Sequence, residues 1–190
     1  RALTDDLRPE PPPRGAAPVG VSARGGPTRM WLTDDAFSAL LEVAVSLGDA
    51  PEAGEPAGGA VVFLPLTVDL RTGQFVAPAD LFRPGTPWAD TLAAHVERDV
   101  SERLAGRAPF FPDGLDALRA GRLALTLGPD GVTVHVAPSQ LSSDPSAFHV
   151  DVPLAAVAAF AHPDGLLARL GATVEDQGTA PSPDRTVGTD

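Results

Sequence analysis

Cysteine is absent, and so are lysine, isoleucine, asparagine and tyrosine. Without cysteine there is no disulfide and no thiolate chemistry, so the apolar core must stabilise the fold unaided. The other four residues have AT-rich codons, so their joint absence reads as GC-rich coding and says little about chemistry. Arginine carries all the positive charge: 14 arginines stand against 25 acidic residues, for a net charge of −11. That balance argues against nucleic acid, because counterion release needs a basic stripe. It equally disfavours anionic lipid. Long apolar runs are missing, each far short of the roughly 20 residues that a membrane-spanning helix needs. A Gly-x-Ser-x-Gly nucleophile elbow is missing too, as is a phosphate-cradling glycine motif.

What is present fits one globular domain. Hydrophobic residues make up 43% of the 190-residue chain, too many for wholesale disorder. Pro and Gly gather at both ends and between residues 48 and 59. Residues 1–28 read as a Pro/Gly-rich, disordered linker, 29–172 as the folded domain, and 173–190 as a disordered tail. The chain starts with Arg1 rather than Met, which leaves room for a targeting segment or anchor upstream.

Residues 36–47 satisfy two periods. Phe37, Ala39, Leu41, Val43, Val45 and Leu47 share one face of a strand, while Phe37, Leu40, Leu41, Ala44 and Val45 form a helical stripe. A strand follows from Ala60, and Pro65 requires an edge or a bulge there. Arg71, Thr72 and Gly73 turn the chain. Leu92, Val96, Val100 and Leu104 recur every four residues and predict a helix over Trp88–Leu104, with Pro87 before it and Gly106 after. A short helix is expected over Asp113–Arg119. Leu123, Leu125 and Leu127 alternate against Val132, Val134 and Val136 across Gly-Pro-Asp-Gly at 128–131, a hairpin pattern. Phe148, Val150 and Val152 repeat the alternation, and Pro153 opens an interrupted helix ending near Leu170. The expectation is a single α+β domain, an antiparallel sheet packed against two main helices.

The run VDLRTGQFVAPADLF, Val68–Phe82, resembles the "DL-x-TG … DLF" signature of the RsiV-type C-terminal sensor domain family. GPDGVTVHVAPSQL resembles that family's "dGl-x-f-x-f-x-P" strand, and FHVDVPLAAV its closing strand and helix start. Gly58-Gly59-Ala60 resembles its "GGAH" element, with Val61 where the histidine would stand. The similarity covers roughly Leu32 to Leu170. It places an extended segment before Gly-Gly-Ala, which makes 37–47 a strand. Its motif residues Gly58, Gly59, Asp69, Gly73, Asp80, Leu81 and Phe82 are structural: a turn between Asp69 and Gly73, and a core plug at Leu81 and Phe82. The resemblance implies no catalytic residue and no cofactor. It implies an extracytoplasmic sensor-like domain of the bacterial envelope, binding lysozyme or cell-wall material, or an accessory domain of a polysaccharide deacetylase.

The residues themselves offer few chemical constellations. His95 and Asp99 lie one helical turn apart, with Glu97 between, and read as a surface pair rather than a base and its orienter. His135, His149 and Asp151 fall on the non-core face of two strands. They could hold zinc, but a solvated face is the plainer reading. Asp34 and Asp35 read as a cap and its neighbour rather than paired carboxylates. Asp49, Glu52 and Glu55 form an acidic, Pro-rich loop suited to a basic partner such as lysozyme. A small hydrolase built on His95, or on His135 and His149, is the remaining rival. The oligomeric state stays open.

Overall fold

The computed structural model describes residues 21–47 and 59–171. Three long strands lead the fold: β1 (Val21–Leu32), β2 (Ala36–Leu47) and β3 (Gly59–Asp69). With the short β4 (Gln74–Phe75) they form an antiparallel four-stranded sheet in the order β1-β2-β3-β4. Helix α1 (Trp88–Leu104) and a short α2 (Asp116–Arg119) follow. A second antiparallel sheet contains β5 (Ala124–Gly128), β6 (Gly131–Val136) and β7 (Phe148–Pro153), in that order. The short α3 (Leu154–Val157) and a final helix, α4, at 166–171 close the described chain.

The domain is α+β, with helices on one side of the small sheet and the large sheet on the other. This differs from the expected layering in two respects. The strands divide into two sheets, and only α1 is long. Residues 21–28, assigned to the linker by composition, form the first part of β1, whose ladder bonds to β2 compensate for their Gly and Pro content.

Parity decides which face each strand buries. In β5, Leu125 and Leu127 point towards α1, as do Val132, Val134 and Val136 of β6 and Phe148, Val150 and Val152 of β7. They meet Leu92, Val96, Val100 and Leu104 in one cluster. In β2 the buried face is the even one. Ala36 and Leu40 are fully buried and Ser38 nearly so, while Phe37, Leu41 and Val43 are half-exposed. The odd face, though wholly apolar, is the more exposed one apart from Ala39. The even face wins because the small sheet lies against it.

Local chemistry explains the connections. Pro65 pairs with Leu40, and β4 reaches β3 only at Val68 and Asp69. Thr67 O accepts from Val76 N, so Pro65, two residues earlier, turns its missing N–H to the open edge. Gly73 has φ +70°, a conformation that side chains resist, and its N–H closes the turn onto Asp69 O at 2.7 Å. Asp69 Oδ1 accepts from Arg71 N, and Oδ2 accepts from Arg169 Nη2 of α4 at 2.5 Å. Burial pushes the Asp69 carboxyl up, but the Arg169 hydrogen bond, together with those from the turn amides, holds it below the usual carboxylate range. Asp80 Oδ2 accepts from Ala77 N and braces the turn before Leu81 and Phe82. Both side chains are buried, and the Phe82 ring stacks on Trp88 with centroids 4.6 Å apart.

Phe82 thus joins the motif segment to the start of α1. Phe82→Ala is expected to lower unfolding free energy by about 3–5 kcal/mol. Urea denaturation followed by circular dichroism checks this, and a loss below about 1 kcal/mol would mean that the plug carries no packing load.

Candidate functional site

The face of the small sheet that turns away from α1 carries hydrogen-bonding side chains at every strand. Thr126, Thr133, His135, His149 and Asp151 point across to the large sheet, which offers Ser38, Thr67 and Phe63. His135 is 4% exposed, and Thr126 and Thr133 are buried. This corrects the solvated-face reading for His135, which the large sheet covers; His149 is half-buried, and Asp151 at the margin stays exposed.

The layer is hydrogen-bonded throughout. Ser38 and Thr67 are cross-strand neighbours whose hydroxyls meet at 3.0 Å. Ser38 Oγ also accepts from Leu127 N at 2.8 Å, satisfying an amide on the unpaired edge of β5. Thr133 Oγ1 donates to Asp151 Oδ1 at 2.6 Å. Thr126 Oγ1 meets His135 Nε2 at 2.8 Å, and His135 Nδ1 meets His149 Nδ1 at 2.8 Å. Phe63 lies against both imidazoles. One proton between the two Nδ1 atoms satisfies the pair, while two would set N–H groups head to head.

Burial pushes the His135 imidazole down to about 3, helped by the neighbouring His149 and by Arg29, against a smaller pull from Asp151. Burial lowers His149 too, assisted by Arg29 and Arg103 and opposed by Glu42 and Asp151. Both rings are neutral at pH 7. Asp151 is committed to Thr133, with Arg29 only 3.9 Å away, and does not join the imidazoles. Among the described residues no group of three or more His, Asp or Glu side chains is arranged to hold a metal ion.

At its open end this layer widens into a groove of about 560 Å3 between the sheets, lined by Arg29, Trp31, Ser38, Thr126, Thr133 and Asp151, among others. A second groove of about 640 Å3 adjoins it, with Asp34, Asp35, Arg71 and Leu167 in its walls. The two share Trp31 and the hairpin tip residues Gly128, Pro129 and Gly131. Gly131 (φ +154°) is fixed as glycine, since a Cβ would fall 2.2 Å from Val152 O. The tip is therefore held tightly against β7, and Trp31 stands half-buried opposite it.

The other candidates separate. His95 Nδ1 lies 3.0 Å from Thr91 O of its own helix, while Asp99 pairs with Arg103 at 2.8 Å, so they form no dyad. Glu97 faces Arg119 at 3.8 Å. Asp35 receives a two-pronged contact from Arg71, and the hydroxyl of Thr33 caps the β1–β2 turn by accepting from Ala36 N at 3.0 Å. Asp35 and its neighbour Asp34 thus do not act as paired carboxylates. Gly59 opens β3. Asp49, Glu52, Glu55 and Gly58 lie outside the described residues. Val61, at the position of the family's histidine, lines a shallow third groove with Phe63 and His135. The sequence reading missed Trp31, Arg29, Ser38, Thr67 and Thr126. The signal was there in the small sheet, whose non-core positions hold short hydrogen-bonding residues rather than the Arg and Glu of a wet face.

No family model and no curated protein matches the chain. Among solved structures it is similar to a DUF3298 family protein from Pseudomonas aeruginosa PAO1, at 12% identity and a TM-score of 0.45. The match covers 76% of this chain and 63% of that one, so this chain spans less than two thirds of that protein's length. No helix among the described residues is long and apolar enough to cross a membrane.

The buried neutral imidazole makes a signed prediction. Unfolded, His135 takes up a proton below about pH 6.5, and folded it does not until about pH 3. Stability therefore falls as pH drops through that window, by up to about 1.4 kcal/mol per pH unit. Thermal melts between pH 7 and pH 4.5, above the range where Asp69 contributes, should show a shallower slope for His135→Gln than for the parent. Equal slopes would mean that His135 is not held neutral.

Proposed function

We propose that this chain is a non-catalytic, extracytoplasmic ligand-binding domain of the bacterial cell envelope, sensor-like in the RsiV manner, and that its ligand occupies the Trp31 groove. One observation carries the reading: two adjoining grooves meet at a single half-buried indole and a hairpin tip packed closely on β7. Ligand sites are concave, largely preformed and polar at a few placed positions. Trp31 supplies an amphipathic flat platform. Arg29, Asp34, Asp130 and Asp151 supply charge of both signs around it. That mixture suits a polar polymer such as cell-wall material. The ordered motifs from Val68 to Phe82 supply the envelope context. In a longer protein carrying a deacetylase, the same groove would hold the polymer for the neighbouring unit. Lysozyme recognition is the narrower form of the proposal and would draw on the acidic Asp49, Glu52 and Glu55 loop.

A hydrolase is the second reading, favoured by the Thr126–His135–His149 chain, which has the connectivity of nucleophile, base and orienter. A base whose conjugate acid sits at about 3 is too weak to take a hydroxyl proton at neutral pH, and Thr126 is buried.

Calorimetric titration with soluble peptidoglycan fragments is expected to give saturable binding that Trp31→Ala weakens by at least about tenfold, or 1.4 kcal/mol. The variant's melting curve confirms that it still folds. Lysozyme titrated at low and high salt tests the narrower form, and ester substrates should remain uncleaved. Unchanged fragment affinity in Trp31→Ala, or no binding of either ligand, would remove the groove from the account.

A further inference from the structure

The large sheet has a second face, and nothing described packs on it. Residues alternate across the sheet, so those opposite the polar layer form one surface: alternate positions from 23 to 32 in β1, from 37 to 45 in β2 and from 60 to 68 in β3. None of them has a charged or hydrogen-bonding side chain. Met30 and Leu32 are each 68% exposed, Leu64 is 49% and Phe75, at the β4 end, is 76%. An open antiparallel sheet normally alternates apolar with polar; here the solvent-side positions are apolar too. A contiguous patch of this kind on a soluble domain marks an interface.

Outside the described residues the chain has few larger apolar side chains to offer this face. Residues 1–20 contain only Leu3, Leu7 and Val19 as larger apolar residues, 48–58 contain none, and 172–190 contain only Val174 and Val187. Two copies with net charge −11 repel each other, and this face sets no acidic side chain of the described strands against another. Three strands of about ten residues, at standard rise and spacing, present roughly 500 Å2 of sheet plane per copy. Two such faces joined bury about 1,000 Å2, the lower bound for a specific interface.

We propose that this face binds a second copy of the chain, sheet on sheet about a two-fold axis, with the Trp31 groove of each copy left open on the outer side. Such packing holds two sheets about 10 Å apart with interdigitating side chains. The inference is independent of what the groove binds.

Sedimentation equilibrium of the purified chain tests it. The expected result is a dimer that tightens as salt screens the acidic repulsion, and a monomer for Leu64→Glu with an unchanged circular dichroism spectrum. Asp151→Asn, on the inner side, should leave the dimer intact. Because the chain has no cysteine, Leu41→Cys provides a second readout that needs no destabilising charge. Its thiols should cross-link through a short bismaleimide in the native dimer. A parent chain that is monomeric up to hundreds of micromolar overturns the proposal. So does a Leu64→Glu dimer, a dimer that does not cross-link through position 41, or a monomer that binds phosphatidylcholine vesicles.

Discussion

The Ser38 hydroxyl holds the two sheets of this protein in register. It sits on the inner face of β2, meets Thr67 on the next strand, and accepts the Leu127 amide from the edge of the small sheet. A β5 edge amide buried against an apolar surface would lose its water without replacement, at a penalty of about 1–3 kcal/mol. One hydroxyl removes that penalty and fixes which residue of β5 lies over which residue of β2. The other polar side chains of the layer are satisfied within the small sheet. Thr126, His135 and His149 form a chain, Thr133 and Asp151 form a pair, and Phe63 shields the imidazoles. A satisfied polar layer of this kind specifies one arrangement, whereas an apolar interface would tolerate sliding.

This layer also borders the groove. The Ser38–Leu127 bond crosses between the sheets, and Ser38, Thr126, Leu127 and Thr133 themselves line the groove beside it. The groove lies where Trp31 faces the Gly128–Gly131 tip, and Gly131 sits so close to the carbonyl of Val152 that no side chain fits there. Preformed walls spare a ligand part of the ordering cost of binding.

Local pattern made much of the fold legible. Helix α1 was readable to its ends from the four-residue recurrence of Leu92, Val96, Val100 and Leu104, because one face of one helix meets one core. The hairpin was readable from its alternating arms and its Gly-Pro-Asp-Gly tip. The division into two sheets was not, since no strand records which neighbour it pairs with beyond its hairpin. For the same reason the pattern of β2 does not say which of its faces is buried. Both of its faces are apolar enough to bury, and the choice depends on the polar layer supplied by strands some 90 residues later, as in Ser38 to Leu127. The histidines were visible as a pair on one strand face, but their burial was set by Phe63 and the large sheet. Residues 21–28 were hidden by their composition, because Gly and Pro content describes a lone segment and not one laddered to β2.

The central claim is that the interface between the sheets buries a neutral Thr126–His135–His149 hydrogen-bonded chain beside the Ser38–Leu127 bond. Side-chain nuclear magnetic resonance of the four imidazoles across pH 4 to 8 tests it most directly. The account predicts that His135 stays neutral down to pH 4 and shares one slowly exchanging proton with His149. Protonation of His135 near pH 6.5, with fast exchange of its ring proton, would contradict it.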